Sequence, residues 1–120
     1  MKNFEIIFVD GVYVISVNLD RSTINDAYEF RELVEQEFKS GHTKLIFDLS
    51  KCNTIDSTFF GVIIMALGKV NDIGEKLKVV EPVSAKESIF KLTNTTELFD
   101  LYKTREAAIR SFESDAQSRN

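Results

Sequence analysis

Ser57, Asp56 and His42 are the residues of this 120-residue chain that could be assembled into a hydrolytic triad. Such a reading asks for a nucleophile presented on a tight elbow and a base within reach of it. No Gly-x-Ser-x-Gly surrounds Ser57, and His42, the only histidine, follows Gly41 in a polar turn where a solvated loop residue is expected. Catalysis is therefore not expected. Asp48 at the end of an apolar run and the later Lys103 suggest instead a phosphoaspartate receiver. That fold needs a helix after its first strand, whereas Asp10-Gly11 predicts a hairpin there. Asp48 is read as a turn residue bonding the loop that follows it. Cys52 is the sole cysteine, which excludes an internal disulfide and a thiolate metal cluster. It is read as a small core residue, and no metal or cofactor is expected.

What remains is Ser57 at the start of a helix. Simple capping by Asp56 or Ser57 is the plainer interpretation. The sharper one is a switch: a helix N-terminus presents unpaired amide donors to an anion, and a phosphate adds roughly −1.5 to −2 charges in one step.

The elements that must position Ser57 follow from periodicity. Phe4 to Phe8 and Val12 to Val17 are rich in β-branched and aromatic residues, and Asp10-Gly11 joins them as a hairpin. Ile24, Ala27, Phe30, Leu33, Val34 and Phe38 recur at helical spacing, and Gly41 ends that helix. Lys44 to Leu49 is a continuous apolar strand of the kind buried on both faces. A polar loop leads to the helix from Ser57 to about Ile73, closed by Gly74. Leu77 to Val80 is a further strand, stopped by Pro82. Ser84-Ala85-Lys86-Glu87 has the form of a capping box opening a helix with Ile89, Phe90 and Leu92. Phe99 to Tyr102 supplies a last strand, and a helix from about Thr104 to Phe112 follows. The expected fold is α/β: a mixed, mostly parallel sheet entered by a β-hairpin, with about four helices. Residues 1–112 are one domain, and 113–120 form a polar tail expected to fray.

On the helix from Ser57, a 100° projection groups Phe60, Ile63, Ile64 and Leu67 as the sheet-packing face and sets Val62 and Met65 on the other side. Ser57, Gly61 and Gly68 make a strip of small residues along one flank. Glycine inside a helix costs roughly 1 kcal/mol relative to alanine, so two of them call for close approach by another body. That body is either a neighbouring helix of the same domain or a partner.

The stretch Leu45-Ile46-Phe47-Asp48-Leu49-Ser50 through Asp56-Ser57-Thr58-Phe59-Phe60-Gly61-Val62-Ile63 resembles the signature of the STAS domain family, and in particular the bacterial anti-sigma factor antagonists. The element order agrees with that fold from Phe4 to about Phe112. The resemblance implies that Ser57 is phosphorylated by an anti-sigma factor that is itself a serine kinase. Unphosphorylated protein would bind the kinase and release a sigma factor, and a phosphoserine phosphatase would reset the cycle. Asp20 and Asp56 resemble acidic positions of the family beside the switch serine, and together with Thr58, Phe59, Gly61, Val62 and Met65 they are expected to form the partner surface. Phe59 stands where the family usually carries a small residue, so a ring over the serine would obstruct a kinase. The alternative is a STAS scaffold that holds a partner in a signalling or transport assembly without phosphorylation, with Ser57 merely capping its helix.

Composition narrows the partners. A net charge of −4 with no basic block removes the electrostatic term that dominates nucleic-acid binding. The apolar run from Phe59 to Leu67 is too short to span a bilayer. Asn3 and Glu5 interrupt the N-terminal apolar stretch, so no signal peptide is expected and the cytoplasm is the expected location. A monomer or weak dimer is expected, with Val62 and Met65 as a possible dimer flank.

Overall fold

The computed structural model describes residues 2–83 and 88–118. The hairpin forms where Asp10-Gly11 places it: β1 (Phe4–Val9) and β2 (Val12–Val17) pair antiparallel, Val9 opposite Val12. Both turn residues have positive φ, 51° at Asp10 and 79° at Gly11, as a two-residue type I′ turn demands. The chain then continues through β3 (Arg21–Ser22), α1 (Ile24–Lys39), β4 (Leu45–Asp48), β5 (Thr54–Ile55) and α2 (Ser57–Asp72). It closes with β6 (Leu77–Val80), the single turn α3 (Ile89–Leu92), β7 (Phe99–Tyr102) and α4 (Arg105–Ser118). The main sheet has five strands in the order β1-β2-β4-β6-β7, and every pairing after the hairpin is parallel.

Alternation along the central strands divides the core in two. Ile15, Val17, Phe47, Leu49, Leu77 and Val79 face the layer of α1, α2 and α3 together with Phe30, Phe59, Phe60, Ile63 and Phe90. Val12, Val14, Ile46 and Val80 face α4 through Ala108, with Ile109 and Phe112 packed beside them. A lysine lies inside: Lys78 is 2% exposed, and its ammonium bonds Asp115 at 2.8 Å, lies 3.5 Å from Asp100 and sits over the Phe112 ring. Burial alone would lower its pKa, yet the bonds to Asp115 and Tyr102 hold it above the ordinary lysine value.

The structure revises two expectations and leaves a third untested. α4 does not stop at Phe112 but runs to Ser118, because Asp115 on its next turn is tied down by Lys78. The buried sector of α2 is wider than the projection gives, covering Phe59, Phe60, Val62, Ile63, Ala66, Leu67 and Val70. Ile64 is 37% exposed and Val62 only 8%, since α2 packs against α1 as well as the sheet, and this rotates its apolar face. The expected capping box Ser84 to Glu87 lies outside the described residues; α3 is capped by Ser88, whose hydroxyl accepts the Phe90 N–H.

Candidate functional site

The site is assembled where the segment after β2 meets the segment before α2. The Asp20 carbonyl accepts the N–H groups of Asn53 and Thr54, at 2.7 and 3.1 Å. Beyond it β3 and β5 form a short parallel ladder, Arg21 level with Thr54 and Ser22 with Ile55. The Asp56 N–H continues the ladder to the Ser22 carbonyl at 2.9 Å. These bonds tie the loop carrying Asp20, whose side chain is exposed, to the loop that leads into Ser57. Cys52 seals the junction from below: fully buried, its thiol lies 3.3 Å from the Ser22 hydroxyl. Burial pushes that thiol up from its ordinary 9.0 to about 11, which leaves it protonated and unreactive at neutral pH.

Asp56 is the N-cap of α2, and it does more than cap. One carboxylate oxygen accepts the Phe59 N–H at 2.8 Å, and the other accepts the N–H of Ile24, the first residue of α1, also at 2.8 Å. A single carboxylate thus satisfies orphan donors of two helices and clamps their N-termini together. Thr23 serves α1 from its own side, in a capping box with Asp26.

Because Asp56 holds the cap, Ser57 is released from that duty. It is exposed as the first residue of α2, and among the described residues no hydrogen bond engages its hydroxyl. Phe59 does not lie over it. As a partner-surface residue Phe59 is a correction: it is 0% exposed, stacked on Phe30 with centroids 4.6 Å apart and planes 1° apart, and Phe4 stacks beyond. Its position two residues past Ser57 rotates the ring inward between α1 and the sheet. The ring therefore raises no barrier to reaching the serine.

Next to Ser57 a groove of about 430 Å³ runs between α1 and α2, with Thr58, Gly61, Val62 and Met65 on one wall and Ile24, Ala27, Tyr28 and Arg31 on the other. Four of the residues expected in the partner surface are thus brought together. The α1 wall went unread in the sequence: Ile24 and Tyr28 are 63% and 74% exposed, although the helical periodicity counts Ile24 toward the core. A Cβ added at Gly61 or Gly68 would meet nothing within 4 Å. Among the described residues no helix crosses the small-residue flank at either glycine, so packing between described elements does not explain them.

The other candidates fall elsewhere. His42 is not merely solvated: its ring stacks on Tyr13 at 3.9 Å and bonds Glu37 at 2.5 Å, and it makes no contact with Ser57. Asp48 binds the loop as expected, accepting the Ser50 N–H at 3.0 Å, and its second oxygen takes the Arg105 guanidinium at 2.9 Å. That carboxylate is a structural tie between β4 and α4. Among the described residues no cluster of His, Cys, Asp or Glu suits a metal ion, and no helix is long and apolar enough to cross a membrane.

A five-stranded sheet entered by a hairpin, with an Asp-Ser pair opening the helix that follows its central strand, defines a class of domain, and comparison with known proteins gives that class its name. The STAS domain family profile matches residues 3–108, and the chain belongs to that family. It is similar to a Thermotoga maritima protein described as a candidate anti-sigma factor antagonist, 31% identical over 97 residues, 80% of this chain and 85% of that one. A crystal structure of a candidate anti-sigma factor antagonist from Thermotoga maritima superposes with a TM-score of 0.77 at 27% identity, covering 90% of this chain and 92% of that one. The Bacillus cell fate determinant SpoIIAA, solved in its phosphorylated form, shares the fold with a TM-score of 0.65 at 15% identity, covering 91% and 98%. Protein of this chain is thus anti-sigma factor antagonist-like in sequence and in fold.

Proposed function

We propose that this protein is a cytoplasmic anti-sigma factor antagonist that binds an anti-sigma factor serine kinase when Ser57 is unmodified and is released when the kinase phosphorylates Ser57. A phosphoserine phosphatase returns it to the binding state. The observation that carries this reading is the division of labour at the start of α2: Asp56 performs the capping, and Ser57 stands exposed beside the α1–α2 groove. The existence of a phosphorylated form of the Bacillus fold relative supports it.

The switch works through charge on the partner surface. A phosphate on Ser57 places roughly −1.5 to −2 charges next to the Asp56 carboxylate, which clamps α1 to α2. The α2 dipole and its first amides favour the phosphate, while Asp56 and the exposed Asp20 oppose it. The same phosphate would also have to be desolvated against any partner seated on Thr58, Gly61 and Met65. The protein then acts as a binding module, with the chemistry supplied by its kinase and phosphatase.

The test is affinity capture from the protein's own cells with wild type, Ser57→Ala and Ser57→Glu as baits. Recovery of a serine kinase by wild type and Ser57→Ala, and its loss with Ser57→Glu, is expected. Equal recovery of one partner by all three baits would instead establish the constitutive scaffold.

A further inference from the structure

α4 is held at its two ends by different means. Its first residue is anchored: the Arg105 guanidinium bonds Asp48 at 2.9 Å and the Ser16 hydroxyl at 3.2 Å, and Ala108, one turn on, is fully buried against the sheet. Beyond Ala108 no described side chain of α4 is fully buried. The sequence there, Ser111-Phe112-Glu113-Ser114-Asp115-Ala116-Gln117-Ser118, is a poor helix former. Glu113 and Asp115 lie towards the negative end of the helix dipole, and no basic residue stands in the last turn to offset them. The Ser111 hydroxyl bonds the Ala108 carbonyl at 2.6 Å, competing for the acceptor that the Phe112 N–H needs. A cavity of about 100 Å³ separates Phe112, Asp115 and Ala116 from Leu45, Val70 and Ile73, so packing under these turns is incomplete.

What holds them is Lys78. Asp115 is its close partner at 2.8 Å, the Tyr102 hydroxyl and Asp100 lie farther off at 3.4 and 3.5 Å, and the Phe112 ring centre is 4.6 Å from the ammonium. A lysine behaves differently here from the leucine and valines that fill the rest of β6. If the helix end lifts, an apolar residue is left facing water, whereas an ammonium exchanges its ion pair for hydration. The charge is thus satisfied with the helix end down and with it up. We propose that residues 112–118 of α4 are a latch, closed by the Lys78–Asp115 pair and able to open as a unit while the sheet and the first turns of α4 stay folded. Opening bares the Lys78 ammonium on the sheet face away from the α1–α2 groove, so the latch gates a second surface and does not depend on Ser57.

Amide hydrogen exchange of the full chain, read residue by residue by NMR, tests this. In wild type the amides of residues 112–118 are expected to share one protection factor, below that of β4 and β6. Asp115→Ala separates the ion pair from helix propensity by the sign of its effect. Alanine is the better helix former and removes an acid from the negative helix end, so without the pair exchange in the latch would slow. Loss of the pair instead predicts exchange about tenfold faster or more in 112–118, with β4 and β6 unchanged. Lys78→Met combined with Asp115→Ala replaces the pair by apolar contact and should return the latch to wild-type protection or better. In wild type, an unprotected 112–118, protection graded inward from Ser118, or protection equal to that of β6 overturns the proposal. So does slower exchange in Asp115→Ala, equal acceleration of β6, or a double variant that exchanges as fast as Asp115→Ala.

Discussion

Gly61→Ala separates an internal from an external reason for the glycine in α2. A methyl group at Gly61 meets nothing within 4 Å, so the domain itself imposes no steric penalty. Replacing an exposed mid-helix glycine by alanine then returns the helix-propensity difference, about 0.8–1 kcal/mol in favour of the fold. Unfolding entropy of about 2.1 cal/mol/K per residue gives roughly 0.25 kcal/mol/K for the chain, so thermal unfolding should move up by about 4 °C. The same methyl stands on the wall of the α1–α2 groove, where overfilling a packed contact costs about 1–3 kcal/mol. Partner binding should therefore weaken about fivefold to a hundredfold while stability rises. Gly68→Ala is the control: it is equally unobstructed within the domain and does not line the groove, so it should stabilise without affecting binding. Differential scanning calorimetry and titration against the captured partner measure both effects. A destabilised Gly61→Ala, or a stabilised one that binds as wild type does, would refute the reasoning that the groove is the docking face.

Asp56→Ala removes the acceptor for both Ile24 and Phe59, and a loss of about 1–3 kcal/mol is expected in urea unfolding, with faster amide exchange at the starts of α1 and α2. Phe59→Ala opens a cavity beside the stacked rings of Phe30 and Phe4 and should cost about 3–5 kcal/mol, whereas a surface role would leave the unfolding midpoint unchanged. Because the Cys52 thiol is held at about 11 in the fold against 9.0 ordinarily, the folded state favours the protonated form. Its contribution is intact below pH 9 and is lost as pH rises towards 11. Urea midpoints of wild type should fall more steeply than those of Cys52→Ala across that window, and native Cys52 should resist a thiol reagent at pH 8 until the protein is unfolded.

Much of this was legible in the chain. Asp10-Gly11 fixed the hairpin, and the strand from Lys44 and the helix from Ser57 stood out by hydrophobic pattern. What escaped was held by backbone or by contacts between distant segments. The β3–β5 ladder is two residues long on each side and has no side-chain period to betray it. Asp56 announces one cap by its position before a helix, but its second bond, to Ile24, joins residues 32 apart in sequence. Ile64 and Val62 exchanged roles because a single-face projection knows of the sheet and not of α1. Lys78 reads as a break in an apolar strand until Asp115, 37 residues later, supplies its partner, and the same bond carries α4 through a stretch whose composition resembles a tail. Phe59 shows the limit of reading by resemblance: its size was visible, but its direction was set by the rings of Phe4 and Phe30.

The central claim, a phosphorylation switch at Ser57, is tested most directly by intact-mass and peptide mass spectrometry of the protein isolated from its own cells beside Ser57→Ala. A single phosphate on the peptide containing Ser57, absent from the variant, is the predicted result. An unmodified Ser57 under growth conditions in which the protein still holds its partner and then releases it would contradict the switch.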